Sequence, residues 1–264
     1  MSKTFVAGLV AGAAVLVTVT VGASLRGQQK MEEEAFRKES LDATPVQLGV
    51  LADKQRIHSR LYTSYQQLRA GQGTITDLIS KRPDKGIVWA MEVSPGLGPL
   101  LQPETPDRYF RSLARSSDAI IRGTVVRKAS QVTEELAFLF TDYDISIREI
   151  FKNNPVAPID IGAVITVTRP GGKVLLQGVV VNAIDDSFEP LPINHDVILF
   201  LRFIPETGAY QATSPFGSFE LDGSSVQPLT GAHLPPGVLA GRDPFLKTLS
   251  SLSKSAGADD GREK

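Results

Sequence analysis

The sequence predicts an α+β protein, in which an N-terminal membrane-targeting helix and amphipathic helices precede a small antiparallel β-barrel or sandwich. Three observations predict this fold. An uncharged apolar run opens the chain at residues 5–25, and helix-capping patterns with apolar spacings of three and four follow it. From residue 118 onward, apolar and polar residues alternate in short runs separated by turn residues. Closely spaced strands with no helical pattern between them are typical of a barrel or a sandwich.

The composition excludes several classes of protein. The chain has 264 residues, of which 42% are hydrophobic and 22% charged, so a substantial core is expected and disorder over most of the length is excluded. A formal net charge of −1 and the absence of long basic runs argue against nucleic-acid binding. The chain contains no cysteine, which excludes disulfides, thiolate nucleophiles, thiolate zinc sites and iron–sulfur clusters. No motif predicts a cofactor.

Residues 1–25 are predicted to be a signal peptide or a membrane anchor. Lys3 gives a positive start, and no charge occurs from Phe5 to Leu25. The small residues ending at Ala23 favour cleavage after that position. The run is also long enough to cross a bilayer, which would leave residues 5–25 as an anchor in the cytoplasmic membrane. The expected location of the rest of the chain is outside the cytoplasm, either secreted or periplasmic, or anchored. The flanking charges do not decide the orientation of an anchor, because Arg26, Lys30, Arg37 and Lys38 outnumber Lys3 and taken literally would hold the downstream end inside. A buried soluble helix is the third alternative.

Residues 26–43 are predicted to be a charged linker, and residues 44–116 a helical region with one short strand. Thr44, Pro45 and Gln47 form a capping-box pattern that predicts a helix from Pro45 to Ala70. We expect this helix to pack on the protein's own core. Its apolar stripe consists of Ile57, Leu61, Tyr65 and Leu68.

Residues 117–228 are predicted to form the antiparallel barrel, and residues 229–264 a short helix, Pro244–Leu252, with a flexible tail. The predicted strands are Ala119–Val126, Leu136–Phe151, Ala163–Thr168, Val174–Val181, Val197–Phe203, Ala209–Thr213 and Phe219–Leu221. Alternation directs one set of side chains into the barrel. This set is Ile120, Tyr143, Ile145, Ile147, Ile165, Val167, Ile198 and Phe200.

Three segments carry a resemblance to a known family. Ser117–Val126 resembles the first strand of netrin-type barrels, with the pattern Asp-Ala-hydrophobic-hydrophobic-x-Gly-x-Val. Ile147–Lys152 is similar to the second landmark of that family, and His195–Leu201 lies where the family has a strand after a polar turn. The resemblance covers about residues 105–221 and extends to uncharacterised exported bacterial domains.

The resemblance implies an OB-like barrel in an extracytoplasmic protein that binds rather than catalyses. Protease-inhibiting members of the family use a disulfide-anchored N-terminal cysteine to cap a catalytic zinc ion. This chain has no cysteine, so that activity is not implied, and no functional residue is carried over.

The strongest candidates for a chemical site are Asp185, Asp186, His195 and Asp196, which lie near turns that could meet at one barrel end. Aspartate and histidine side chains can bind a divalent ion or share a proton. Short polar residues also occur simply because they begin and end strands, and that interpretation is preferred here. Asp142 and Asp144 share one face of a strand, where a solvated edge is expected rather than a catalytic pair.

These observations favour an exported or membrane-anchored protein that is not an enzyme and that binds an unknown protein partner, but no nucleic acid. Two alternatives stay open. One is an envelope hydrolase that uses Asp185, Asp186 and His195. The other is a structural envelope component that assembles through its helices. The sequence indicates neither the ligand nor the oligomeric state.

Overall fold

The computed structural model describes residues 31, 33–63, 73–81, 86–92, 105–185, 187–230, 234 and 241–259, and their side chains except those of 87–92 and 253–259. The predicted targeting segment lies outside the described residues, as do Tyr65, Leu68 and Asp186. Among the helices that are described, none is long and apolar enough to cross a membrane.

The described residues form the mixed α+β fold that the sequence predicts. The helices are α1 (33–42), α2 (Asp53–Arg60), α3 (Ile75–Ser80), α4 (Pro106–Ser116) and α5 (Arg242–Asp259). The strands are β1 (Thr44–Pro45), β2 (Ile87–Glu92), β3 (Ala119–Val132), β4 (Leu139–Lys152), β5 (Val164–Pro170), β6 (Gly172–Leu176), β7 (Val179–Ile184), β8 (Asp196–Ile204), β9 (Ala209–Ala212), β10 (Ser218–Asp222) and β11 (Ser225–Pro228).

Five strands of the larger sheet pair in a ring. The order is β3–β4–β5–β9–β8, and β8 pairs back onto β3. All of these pairings are antiparallel except that of β5 with β9, which is parallel. Strands β10 and β11 extend this sheet from the first half of β8.

A smaller sheet has the order β1–β6–β7–β2. Its centre is the antiparallel hairpin of β6 and β7, and β1 and β2 pair with that hairpin in parallel. The chain passes from the ring into this sheet at Gly171, which lies between β5 and β6 and has φ of +82°. Gly171 is therefore the junction of the two sheets.

Apolar residues of the ring form one cluster on each face of β3 and β8, and a third cluster joins Val132, Leu139 and Phe140 to the smaller sheet. The cluster inside the ring contains Ile121, Tyr143, Ile145, Val167 and Leu199 among others. The second cluster lies on the outer face, where helices α4 and α5 cover Ile120, Ile198 and Phe200. The prediction that these last three side chains point into the barrel was wrong. Both faces of these strands are apolar, so alternation could not tell the inner face from the outer one.

The prediction of a helix from Pro45 to Ala70 was wrong about where the helix begins. Thr44 and Pro45 pair with β6 as β1, and the Thr44 hydroxyl accepts a hydrogen bond from the Ser130 amide at 2.9 Å instead of capping a helix. Helix α2 begins at Asp53 and ends at Arg60, so the predicted single helix is also interrupted before Ala70, and residues 64–70 lie outside the described residues. As expected, the described part of this segment packs on the sheet, but it does so through residues outside the predicted stripe. Just after the helix, Leu61 of the stripe is 37% exposed, whereas Tyr62 is 5% exposed.

The segment predicted as one strand, Val174–Val181, is a hairpin. Gln177 and Gly178 have φ of +52° and +78° and form the two-residue turn between β6 and β7. A positive φ at both central positions is the type I′ geometry that tight hairpins prefer. The usual Asn-Gly or Asp-Gly signal is missing here because Gln177 occupies the first central position.

Two terminal predictions also differ from the structure. Within the predicted charged linker, residues 33–42 are helical, and Glu39 and Asp42 form ion pairs with Lys173. The C-terminal helix α5 runs to Asp259, beyond the predicted end at Leu252.

Candidate functional site

The residues that the sequence singled out have separate partners. Asp185 directly follows β7, is 1% exposed, and accepts a hydrogen bond from the Ser187 amide at 2.8 Å. His195 contacts Glu220, and its side chain is 52% exposed. Asp196 accepts hydrogen bonds from Arg122 at 2.7 Å and Thr124 at 2.8 Å. Nowhere in the described part of the chain are three His, Asp or Glu side chains grouped so as to hold a metal ion.

Asp196 is held in its charged form by its neighbours. Burial raises the pKa of this carboxyl, but the hydrogen bonds from Arg122 and Thr124 and the positive charge of Arg122 outweigh burial, so the pKa lies below its ordinary value of 3.8. These contacts join β3 to the start of β8 and account for Asp196 as a structural residue.

His58 lies in a buried chain of hydrogen bonds that the sequence did not reveal. Its Nδ1 lies 2.8 Å from Asp142 Oδ1, and its Nε2 lies 3.1 Å from Thr207 Oγ1. Asp142 is thus covered by α2 rather than solvated, and its side chain is 13% exposed. A hydroxyl, an imidazole and a carboxylate in this order resemble a hydrolytic triad.

The chain of hydrogen bonds through His58 fastens α2 to β4 and to the turn between β8 and β9. In a hydrolase, the imidazole must pass its proton to the leaving group of the substrate. The His58 side chain is fully buried, so no substrate can reach it in this conformation. The geometry therefore supports a docking role for His58.

The most unusual polar group in the fold is the guanidinium of Arg169, near the end of β5. Arg169 is 2% exposed. Its Nη2 makes one long hydrogen bond, of 3.4 Å, to the Leu229 carbonyl. Its Nε and Nη1 have no hydrogen-bond partner among the described residues. Buried polar groups are nearly always hydrogen-bonded, so an unpaired buried guanidinium requires an explanation.

The position of Arg169 follows from the alternation of β5. Ile165 and Val167 pack in the cluster inside the ring, and Arg169 is the next residue in that phase. The ring of Phe188 covers the guanidinium, with its centroid 5.2 Å from Arg169 Cζ. Phe188 is positioned in turn by a hydrogen bond of 2.8 Å from its amide to the Asp185 carbonyl.

Arg169 lines a cavity of about 170 Å³ at the end of the ring where the two sheets meet. Its polar wall is formed by Ser130 and Thr141, whose hydroxyls lie 2.8 Å apart. Thr141 Oγ1 also donates to the Gly171 carbonyl at 2.8 Å. Gly172 is required beside this pair, because a Cβ there would lie 2.1 Å from Thr141 Oγ1. Apolar walls come from Phe188, Pro170, Ile184 and Pro190.

The other cations of the cavity already have partners. Lys128 pairs with Asp42, and Lys173 pairs with both Asp42 and Glu39. Burial lowers the pKa of Lys173, but the contacts with Glu39 and Asp42 outweigh burial and raise it. Burial also lowers the pKa of Arg169, with neighbouring groups that include Asp185 and Glu189 acting against the shift, and an arginine guanidinium stays charged at neutral pH.

The arrangement can therefore bind an anion. A charged guanidinium with unpaired N–H groups lies in a cavity with an aromatic wall and a hydroxyl wall, which are the features of small-molecule sites. A lone arginine in the inward phase of β5 was the only sequence signal for this site. The residues that build the site are spread along the chain from Asp42 to Leu229, so the spacing of residues in the sequence could not reveal the site.

Comparison of the chain with protein-family models and with curated proteins finds no match.

Proposed function

We propose that the chain is a non-enzymatic binding protein whose ligand site is the cavity at Arg169. The observation that carries this proposal is the buried guanidinium, whose Nε and Nη1 have no partner among the described residues. An unsatisfied buried donor costs about 1–3 kcal/mol, and more when it is charged. A bound ligand that accepts these hydrogen bonds would remove that cost.

We also propose that the ring of five strands is an OB-like barrel related to the netrin type. Support comes from the pairing order, in which five strands close on themselves with one parallel pair, β5 with β9. The cluster of apolar side chains inside the ring supports it further, because the interior of a small barrel is filled by side chains. Barrel mouths are among the common places for ligand sites.

The proposed location is outside the cytoplasm, with residues 5–25 as a cleaved signal or as an anchor, and a protein of the same compartment as a partner. The uncharged run of residues 5–25 behind Lys3 supports this location. A reporter that is active only outside the cytoplasm, fused after residue 60, should give signal. A silent fusion would refute export.

Binding is preferred over the hydrolase alternative on the basis of contacts. A hydrolase built on Asp185, Asp186 and His195 would need these side chains to act on one substrate, and Asp186 lies outside the described residues. In the described residues, Asp185 bonds to Ser187, whereas His195 bonds to Glu220. No observation favours a shared site for them.

Nuclear magnetic resonance of the full chain tests whether the cavity binds ligands. A panel of small anionic, cationic and neutral compounds should contain at least one class that shifts the amide signals of Gly171, Gly172 and Ala183. The variant Asn182→Phe places a large side chain in the cavity wall and should abolish these shifts. Gln211→Phe, at a half-buried position on β9 outside the cavity, is the matched control and should keep them.

The cavity proposal is wrong if no compound moves these three amides. It is equally wrong if the shifts persist unchanged in Asn182→Phe, because the compounds would then bind elsewhere.

A further inference from the structure

We infer that the ligand of the Arg169 cavity is a small carboxylate with a single negative charge and a short apolar tail. This inference rests on the proposed binding function and specifies its ligand class. The unpaired hydrogen-bond donors, the charges and the walls of the cavity support it.

The unpaired donors require an acceptor that carries charge. Nε of Arg169 has one N–H and Nη1 has two, and none of these has a partner among the described residues. The carboxyl groups of Asp185 and Glu189 favour the charged guanidinium from a distance, but neither accepts a hydrogen bond from Nε or Nη1. Water could bridge these donors, with weaker hydrogen bonds than a charged acceptor makes. Arginine and carboxylate form short, charge-assisted hydrogen bonds, often two at once. A carboxylate can accept from Nε together with Nη2, or from Nη1 together with Nη2, because these pairs of N–H groups share an edge of the guanidinium. It therefore satisfies one of the two unpaired nitrogens with a charge-assisted hydrogen bond.

The surrounding charges favour one negative charge over two. The ammonium groups of Lys128 and Lys173 are engaged by Asp42 and Glu39, so among the described lining residues Arg169 is the cation without an ion pair. The carboxyl groups of Asp185 and Glu189 line the same cavity and repel any anion there, a dianion about twice as strongly as a monoanion. One guanidinium compensates one carboxylate, whereas a phosphate dianion would carry an uncompensated second charge.

The walls of the cavity fit a short apolar tail. Phe188 and Ile184 line the space, with Pro170 and Pro190 near them. A cavity of about 170 Å³ is far larger than one water molecule needs and holds a ligand of several heavy atoms. Hydroxyls of Ser130 and Thr141 are bonded to each other and to the Gly171 carbonyl, so they add little further capacity to donate.

Titration of the full chain with three probes tests the ligand class. Propionate has the carboxylate and a short tail, propionamide is its neutral counterpart of the same shape, and inorganic phosphate is the competing anion. We expect propionate to shift the amide signals of Gly171 and Gly172 and the Arg169 Nε–H signal. Propionamide and phosphate should require at least about tenfold higher concentrations, because hydrogen bonds to charged groups are the stronger ones.

Variants locate the effect. Arg169→Met should weaken propionate binding at least about tenfold, since it removes the charged donors. Asn182→Phe blocks the cavity but leaves Arg169 in place, and it should also abolish propionate binding. This variant keeps the test available if Arg169→Met does not fold. Arg202→Met removes a positive charge from the exposed surface of β8 and should leave binding unchanged.

Each remaining outcome refutes a different statement. If propionamide binds as well as propionate, the carboxylate inference is wrong while the cavity still binds ligands. If phosphate binds more tightly than propionate, the cavity takes anions but the single-charge argument is wrong. If none of the three probes moves the cavity signals while another compound does, the ligand class is wrong. If nothing moves them, the binding function itself is wrong.

Discussion

At the scale of single residues, polar side chains that are distant in sequence join the helices to the sheets. His58 is the clearest case, because its two ring nitrogens contact Asp142 on β4 and Thr207 in the turn before β9. Tyr62 adds a second contact, donating to Thr168 at 3.1 Å from one turn further along the chain. These contacts fix the position of α2, which is too short to be stable alone.

We therefore predict that His58→Ala lowers the free energy of unfolding by about 2–4 kcal/mol, through lost hydrogen bonds and an unfilled space. Urea denaturation at neutral pH measures this change. Arg60→Ala on the same helix is the control and should change stability by less than about 1 kcal/mol, because its ion pair with Glu134 is exposed. Equal effects of the two substitutions would contradict the docking role of His58.

The second prediction concerns Asp196 and the pH dependence of the stability that its contacts provide. Its folded-state pKa lies below the ordinary value of 3.8, so its contacts stabilise the fold above that pH and are lost as pH falls through the lower folded value. Asp196→Asn should therefore cost about 1 kcal/mol at pH 7, an amount reduced by partial solvent exposure. The difference from the wild type should shrink below about pH 4. A difference that is the same at pH 7 and pH 3 would show that the charge is irrelevant.

At the scale of secondary structure elements, the β6–β7 hairpin forms one wall of the cavity and depends on its turn. Gln177 has φ of +52°, a conformation that asparagine tolerates better than glutamine. We predict that Gln177→Asn raises the free energy of unfolding by about 0.5 kcal/mol and that Gly178→Ala lowers it by about 1–2 kcal/mol. Thermal denaturation of both variants checks the signs. Stabilisation by Gly178→Ala would contradict the turn assignment.

The elements that the sequence predicted well are those with one apolar face. Strand β4 is an example, since Tyr143, Ile145 and Ile147 alternate with polar residues and all lie inside the ring. The sequence predicted strands β3 and β8 but not which of their faces lies inside the ring. Their outer faces are also apolar, because they pack against α4 and α5. The capping-box pattern at Thr44 failed because its hydroxyl accepts a hydrogen bond from Ser130 across the fold.

At the scale of the whole molecule, the α+β class follows from local patterns, whereas the candidate site does not. Arg169, Phe188 and Gly172 belong to different parts of the chain and meet only where the ring joins the smaller sheet. Lys173 in that region is held by α1, within a segment that the sequence indicated as a linker. Contacts between residues that are this far apart in the sequence depend on the topology of the fold. The spacing and composition of residues do not specify that topology.

The central claim is that this junction is a ligand site in which Arg169 binds a carboxylate. A crystal structure of the full chain grown with propionate tests it most directly. We expect a carboxylate within about 2.7–3.1 Å of the Arg169 guanidinium, which is the range of charge-assisted hydrogen bonds. We also expect the propionate tail to lie against Phe188. A cavity that contains only water, or an Arg169 whose Nε and Nη1 bond to protein groups instead, would contradict the claim.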